Sequence, residues 1–406
     1  MIAKPEKNYQ KFTILLCLYI AQSIPLSFFT TVVPVIMRQE NYSLESIGLL
    51  QLVKLPWIIK FLWAPLVDKT SVNIKGYSRW IIYSELFYAL VIVAVGFLSL
   101  QTDFMLIAVL VIIAITASAT QDIATDALAI LVLKKDERSM GNSMQSMGSF
   151  IGSLIGSGVL LLVYRYLGWQ ALLFGLAVFV LIALIPLRLS KFKQAETNNS
   201  IKKSSVRFSD IYKFFTQKGI WKQVIFLNLF YSGIMGILTM LKPYLVDLKY
   251  SVEEIGFMSG IVGTLMAVCC AFFAGWFVKK IGLRKGTISF CVMMLITAGY
   301  FFWISMNNPD TVMLYLGTIL LWSSYGMATI IVYTTSMNCV RKGYEGTDFT
   351  IQTVLAQLGS LIIAAVSGKL AGAFGYKGLF AIEIAMAIIT LLYISLIYTR
   401  NNNALA

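Results

Sequence analysis

Tyr42-Ser-Leu-Glu-Ser-Ile-Gly48 returns about 207 residues later as Tyr250-Ser-Val-Glu-Glu-Ile-Gly256. The same offset carries Gly152-Ser-Leu154 to Gly359-Ser-Leu361 and Gly168-Trp-Gln-Ala-Leu172 to Gly375-Tyr-Lys-Gly-Leu379. A weak echo at fixed spacing marks an internal repeat. Here it runs through a sequence that is 58% hydrophobic and 13% charged, with a mean hydropathy of +0.78. A soluble domain is nearer half apolar and a quarter charged. Together these facts predict an all-α membrane protein of two pseudo-symmetric six-helix bundles. Parallel repeats of this kind build many secondary transporters, with the substrate site at the repeat interface.

A membrane-crossing helix needs about 20 apolar residues. Twelve such runs are legible, at 12–37, 44–67, 79–100, 104–132, 141–164, 169–188, 221–246, 255–278, 285–306, 311–339, 350–373 and 377–398. They must be helical, because lipid offers no partner to an open backbone. The first run is too long for a signal-peptide core and is expected to remain as a helix. Twenty-five of the 33 Lys and Arg fall in segments on the side of the two termini, six lie at the opposite ends, and Lys54 and Lys60 lie within a span. By the positive-inside rule both termini are then cytoplasmic. The formal charge of +14 is accounted for by topology and anionic lipid, and no nucleic-acid partner is expected. The expected organisation is a first bundle over 1–189, a cytoplasmic linker over 190–219 and a second bundle over 220–406. Within the linker, Phe208 to Phe215 reads as a short surface helix, and Met1 to Asn8 and Asn401 to Ala406 read as tails.

The five cysteines sit in apolar runs without metal-ligand spacing, and there is no histidine. Catalysis, metal binding or proton relay through histidine is therefore excluded within this sequence, and neither a metal nor a cofactor is expected. Nor is there a nucleophile motif to suggest an enzyme. If protons are carried, carboxylates carry them.

Charged residues inside a bilayer are functional candidates by default. Asp122 and Asp126 lie four apart in Thr120-Gln-Asp-Ile-Ala-Thr-Asp126, hence on one helical face about one turn apart. Two carboxylates so placed repel when both are ionised, so one can hold a proton while a lysine keeps the other charged. With Glu85 they form the expected proton-coupling set, with Lys60 and Lys54 as charge partners. A proton moving inward ties substrate entry to the membrane potential, about 2.3 kcal/mol per charge per 100 mV. The rival reading is a static salt-bridge network. At the repeat offset Asp122 and Asp126 map to Thr329 and Tyr333, which confines the coupling to the first half. Glu383, on the twelfth run, is read as structural. Candidate cavity residues are Gln22, Gln51, Tyr231, Trp322 and Tyr325. The small residues Gly148, Gly152 and Gly156 are expected to pack the two halves together. Pro25, Pro34, Pro56 and Pro243 are expected to kink their spans.

Trp63-Ala-Pro-Leu-Val-Asp-Lys69 after the second run, and Gly275-Trp-Phe-Val-Lys-Lys-Ile-Gly-Leu-Arg-Lys285 after the eighth, put charges at helix ends. These loops resemble the G-x-x-x-D-[RK]-x-G-[RK]-[RK] signature of the major facilitator superfamily. The second copy carries Lys279 where the acid is expected, and the first has Ala64 for the glycine. The resemblance implies a conformational-switch loop at Asp68, Lys69, Arg284 and Lys285. Leu55-Pro-Trp…Lys60-Phe-Leu-Trp-Ala-Pro-Leu-Val-Asp68 and Ala119-Thr-Gln-Asp-Ile-Ala-Thr-Asp126 further resemble the AmpG-like permeases, a group that includes muropeptide permeases and siderophore permeases of the RhtX and FptX type. That implies a permease of the bacterial cytoplasmic (inner) membrane importing a small molecule with protons, working by alternating access as a monomer. The compact length is closer to the siderophore branch, so a ferric siderophore is the expected substrate. A muropeptide is the alternative, and efflux or a non-transporting sensor stands behind both.

Overall fold

The computed structural model describes residues 9–71, 73–190, 206–307 and 309–398, so the two tails and the linker residues 191–205 lie outside the described residues. Eight unbroken helices are long and apolar enough to cross a membrane. Two of these are double, each turning at one left-handed glycine, and two further spans are split into shorter pieces, which gives twelve spans among the described residues. They are α1 (Gln10–Gln39), α2 (44–70), α3 (Ile74–Gly96), α4 (Phe104–Val132), α5 (138–167), α6 (169–188), α7 (220–247), α8 (Val252–Ile281), α9 (Leu283–Ser305), α10 (Thr311–Asn338), α11 (345–374) and α12 (376–398). A separate short helix, Ser209–Phe215, lies in the linker where the alternation of apolar and charged residues predicts one. Its Phe214 is buried among Ile220, Val224 and Ile351. Tyr212 remains exposed.

The repeat is written in the backbone. Gly168 (φ 76, ψ −177) and Gly375 (φ 68, ψ 176) adopt the same conformation in the two halves. It is one that only glycine takes without strain, and it turns α5 into α6 and α11 into α12 with almost no loop. Asn41 (φ 62) and Lys249 (φ 69), the residues before the two Tyr-Ser motifs, are the two non-glycine residues with positive φ among those described.

The two largest buried apolar clusters each stay within one half: one runs from Ile24 to Val180, the other from Phe226 to Tyr398. A smaller cluster crosses between halves, joining Leu15, Tyr19 and Met144 to Met337 and Phe349. The glycine stripe does not lie in that crossing, contrary to the sequence expectation. A Cβ on Gly148 would come within 2.8 Å of Tyr19 Cβ, on Gly152 within 2.6 Å of Ser23 Cβ, and on Gly156 within 2.4 Å of the Ile24 carbonyl oxygen. The stripe therefore presses α5 onto α1 in its own half. In the repeat, Gly359 meets Asn228 on α7 in the same way. The small residues sit where two backbones approach, and α5 turns its polar residues, Ser139, Asn142, Ser143 and Ser146, to the other half.

α2 is the irregular span. It is divided into five pieces, with Pro56 at the start of one α-helical turn and Lys60–Leu62 in a tighter 3-10 turn. α1 widens to a π-helix over Phe28–Val32, directly after Pro25. Replacing Gly156 with Val is expected to destabilise the protein by about 1–3 kcal/mol through overpacking. Gly175→Ala, where no atom lies within 4 Å of the added methyl, should be neutral or slightly stabilising. Melting temperatures in detergent check both.

Candidate functional site

The interruption of α2 aims Lys60 inward. Its ammonium pairs with Asp122 Oδ2, and both side chains are buried. Gln22 of α1 donates to Asp122 Oδ1 at 2.7 Å. One turn along α4, Asp126 Oδ1 accepts from the Tyr19 hydroxyl at 2.5 Å and from Gln145 Nε2 of α5 at 3.3 Å. The indole ring of Trp57 lies 4.7 Å from Lys60 Nζ, a cation–π contact. The two carboxylates thus have different company: Asp122 faces a cation, and Asp126 faces neutral donors. That is the asymmetry a proton carrier beside a fixed ion pair requires.

These groups form the deep wall of a cavity of about 1020 Å³ between the halves. From α1, Gln22, Ser23, Ser27, Thr30 and Thr31 line it. Ser149, Ser153 and Ser157 of α5, and Ser259 and Thr264 of α8, add hydroxyls. Tyr231, Trp322, Tyr325 and Tyr333 supply rings. The lining continues to Gly158, Lys242 and Gly256, towards the α1–α2 and α7–α8 loops. Several buried polar atoms on this wall have no hydrogen-bond partner among the described residues: Gln22 Oε1, Gln145 Oε1, Trp57 Nε1 and Trp322 Nε1. Lining a cavity, these atoms are open to water or to a bound molecule.

The sequence candidates divide cleanly. Asp122, Asp126, Lys60, Gln22, Tyr231, Trp322 and Tyr325 come together in the cavity. Gln51 and Lys54 do not: both are exposed and absent from its lining. Glu85 is buried on α3, apart from the cavity, with no ion pair among the described residues. Trp57, Gln145 and Tyr333 were missed as cavity residues. The run Asn142-Ser-Met-Gln-Ser146, polar inside an apolar span, is the signal that points to Gln145.

The sequence pattern of the Major Facilitator Superfamily matches residues 12–360. The chain belongs to this superfamily. It is 25% identical over 405 residues to an anhydromuropeptide permease of Escherichia coli K12, covering 96% of this chain and 81% of that one. A Rickettsia conorii protein named AmpG 4 is 24% identical over 415 residues, covering 99% of each. Among solved structures, a bacterial homologue of the iron transporter ferroportin in an outward-facing state superposes with a TM-score of 0.70 at 17% identity, covering 96% of this chain and all of that one. The superfamily's twelve-helix, two-bundle architecture is therefore that of this transporter.

In this superfamily member the end of the cavity nearest the linker is shut. Asp68, at the end of α2, accepts from the Gly346 and Thr347 backbone N–H groups at 2.9 and 2.7 Å, from Thr347 Oγ1 at 2.6 Å and from Tyr77 at 2.7 Å. An acid at the start of α11 suits the helix dipole. Arg138 donates to the Met337 carbonyl at 2.9 Å and to Asn338 at 2.7 Å, while Ser139 and Ser143 donate to the Gly275 and Ala271 carbonyls at 3.1 and 2.7 Å. A side chain at Gly275 would strike Ser143 Oγ, which explains the glycine of the second signature copy. Of the other switch-loop candidates, Lys69, Arg284 and Lys285 are exposed and form no ion pair among the described residues. Glu137 pairs with Lys11 at the same end. Burial raises its carboxyl, but the bonds from Lys11 and the Lys134 N–H outweigh this and hold it below the usual range.

Lys60→Met is expected to cost about 3–5 kcal/mol, because it strands a buried carboxylate. Adding Asp122→Asn should recover most of that, and thermal melting of the two variants checks it. Asp68→Ala removes the cap of α11, about 0.5–2 kcal/mol. Spin labels at the exposed Lys135 and Lys342 should then show a longer distance in a several-fold larger share of molecules.

Proposed function

We propose that this transporter is a proton-coupled importer of peptidoglycan fragments in the bacterial inner membrane, with both termini cytoplasmic. The observation that carries the substrate class is the cavity wall itself. Indole and phenol rings suit the apolar faces of sugar rings. Between them, two amide oxygens and two indole N–H groups await donors and acceptors, with rows of serine and threonine hydroxyls around them. An amino sugar bearing a short peptide matches this mixture of stacking and neutral hydrogen bonding. The volume of about 1020 Å³ is at the upper end of ligand pockets, about 300–1,000 Å³, and suits a fragment of several rings.

The ferric siderophore expected from the compact length is the second reading. Its support is length: the match covers 81% of the Escherichia coli anhydromuropeptide permease, whereas the Rickettsia conorii AmpG 4 protein matches end to end. The similarity to a permease for anhydromuropeptide supports the fragment reading.

The positive-inside bias supports a cytoplasmic position for the end closed by Asp68, so the cavity faces out. In the proposed cycle, the substrate binds with a proton on Asp126, the halves rock, and release inside returns Asp126 to the Tyr19 and Gln145 donors. The Lys60–Asp122 pair stays fixed and sets the field that Asp126 feels. Proteins of this fold commonly act alone, and a monomer is the proposed state.

In cells lacking their own permeases, the expected result is accumulation of labelled anhydromuropeptide, abolished by an uncoupler, with no accumulation of labelled ferric siderophores. Asp126→Asn should lose concentrative uptake at least tenfold while still exchanging substrate in counterflow. Full concentrative uptake by that variant would exclude Asp126 as the carrier. Binding with no counterflow in the unaltered protein would mark a sensor.

A further inference from the structure

α7 is broken. Its first piece ends at Leu229 and its second begins at Met235. A break inside a bilayer frees carbonyl and N–H groups that lipid cannot satisfy. α12 packs along it with one stripe. At the end of the first piece the Leu229 carbonyl accepts from the Ser232 N–H at 2.9 Å and hydroxyl at 2.6 Å, and Thr390 Oγ1 of α12 lies 3.1 Å from it. Glu383 Oε1 lies against Gly236, in the first turn of the second piece, where a Cβ would come within 2.2 Å of it. Between them Ala387 touches Gly233 so closely that a Cβ there would sit 2.6 Å from the alanine methyl. Positions 383, 387 and 390 share one helical face. The residue that caps the second piece of α7, Ile234, has no side-chain acceptor, and the Glu383 carboxyl of α12 stands at that helix start.

Glu383 is 3% exposed. Its Oε1 faces Gly236, where any side chain would collide with it, and its Oε2 has no partner among the described residues. No cation pairs with it among those residues. The ionisable groups on the elements packed against it are Cys291 of α9, whose Sγ lies 4.0 Å from the Ala387 carbonyl oxygen, Tyr244 and Lys242 of α7, and, towards the loop end, Tyr376 of α12 with Asp247. Lys222 and Tyr393 mark the opposite end. None of them hydrogen-bonds the Glu383 carboxyl. An ionised carboxylate in this setting would leave a charged oxygen dry and unpaired, whereas the neutral acid carries no charge to desolvate.

We propose that Glu383 is a second proton-binding site, in the half that lacks counterparts of Asp122 and Asp126, and that its proton is linked to the break in α7. The carboxylate takes one proton to become the carboxylic acid and returns it as such, with no other bond changed. The acid form belongs to the broken α7 seen here. Release requires Oε2 to reach water or a donor, which re-packing of α7 on α12 would provide. The break presents Tyr231 and Met235 to the cavity, so proton occupancy at Glu383 reports on, and biases, the cavity wall. This site is independent of the role proposed for Asp126, and only the last readout below rests on the transport reading.

The experiment is pH-difference infrared spectroscopy of the full-length protein in lipid nanodiscs, following the carboxylic-acid C=O stretch. A titrating band present in the wild type, absent in Glu383→Gln and retained in Asp126→Asn is the expected result. Identical spectra for wild type and Glu383→Gln would overturn the proposal. Glutamine keeps an oxygen against Gly236, so its melting temperature should stay near wild type. Should it fold poorly, Glu383→Asp, which withdraws the carboxyl by one methylene, must shift the titration midpoint, and an unshifted midpoint also overturns the proposal. In uptake of anhydromuropeptide, Glu383→Gln is expected to flatten the pH profile, and an unchanged profile would count against linkage to transport. Concentrative uptake by Asp126→Asn would sink the coupling role of Asp126 alone and leave the infrared result standing.

Discussion

An ion pair held in the bilayer interior, Lys60 on Asp122, is the constraint around which this transporter is arranged. Neither charge is tolerable there alone, so α2 must bring its lysine to α4. It does so by giving up regular helix, with a proline turn and a 3-10 turn in place of two α-helical turns. Gln22 and Trp57 then settle around the pair. Because the pair satisfies one carboxylate, the other is left with neutral donors. The cavity runs along this wall, where α1, α2 and α4 meet.

The same economy of polar groups governs the contact between halves. Closure at the linker end relies on Asp68 capping α11 and on hydroxyls of α5 reaching carbonyls of α8. Such bonds are individually modest, about 0.5–1.5 kcal/mol each, and water can replace them. Beside them a small apolar cluster, Leu15, Tyr19 and Met144 with Met337 and Phe349, crosses between the halves. Close backbone approaches lie within a half at Gly148, Gly152, Gly156 and Gly359, and between the halves at Gly275.

Much of this was legible in the sequence because it depends on period and charge. The spans, the repeat and the acidic pair on α4 follow from hydropathy, an offset and a four-residue spacing. Lys60 could be matched to that pair because both lie at similar depth. The errors lie where face and neighbour were not weighed. Gln51 and Lys54 stand nine and six positions before Lys60, about 180° and 120° round a regular helix from it, so the face that carries Lys60 inward turns them out. The glycine stripe was assigned to the wrong partner because a stripe of small residues declares closeness without naming the neighbour. Trp57 and Gln145 escaped notice because their value lies in unsatisfied atoms, which only three-dimensional packing discloses.

The hydroxyl contacts of α5 end on backbone carbonyls at Ala271 and Gly275, not on side chains of α8. The recognition is thereby blind to most of what α8 is made of. Its outward residues, such as Phe272, Phe273 and Trp276, are free to drift with the lipid they meet, while position 275 alone is pinned to glycine by Ser143. Side chains on the lipid face of α8 can thus be exchanged without touching the seal that α5 makes with its backbone.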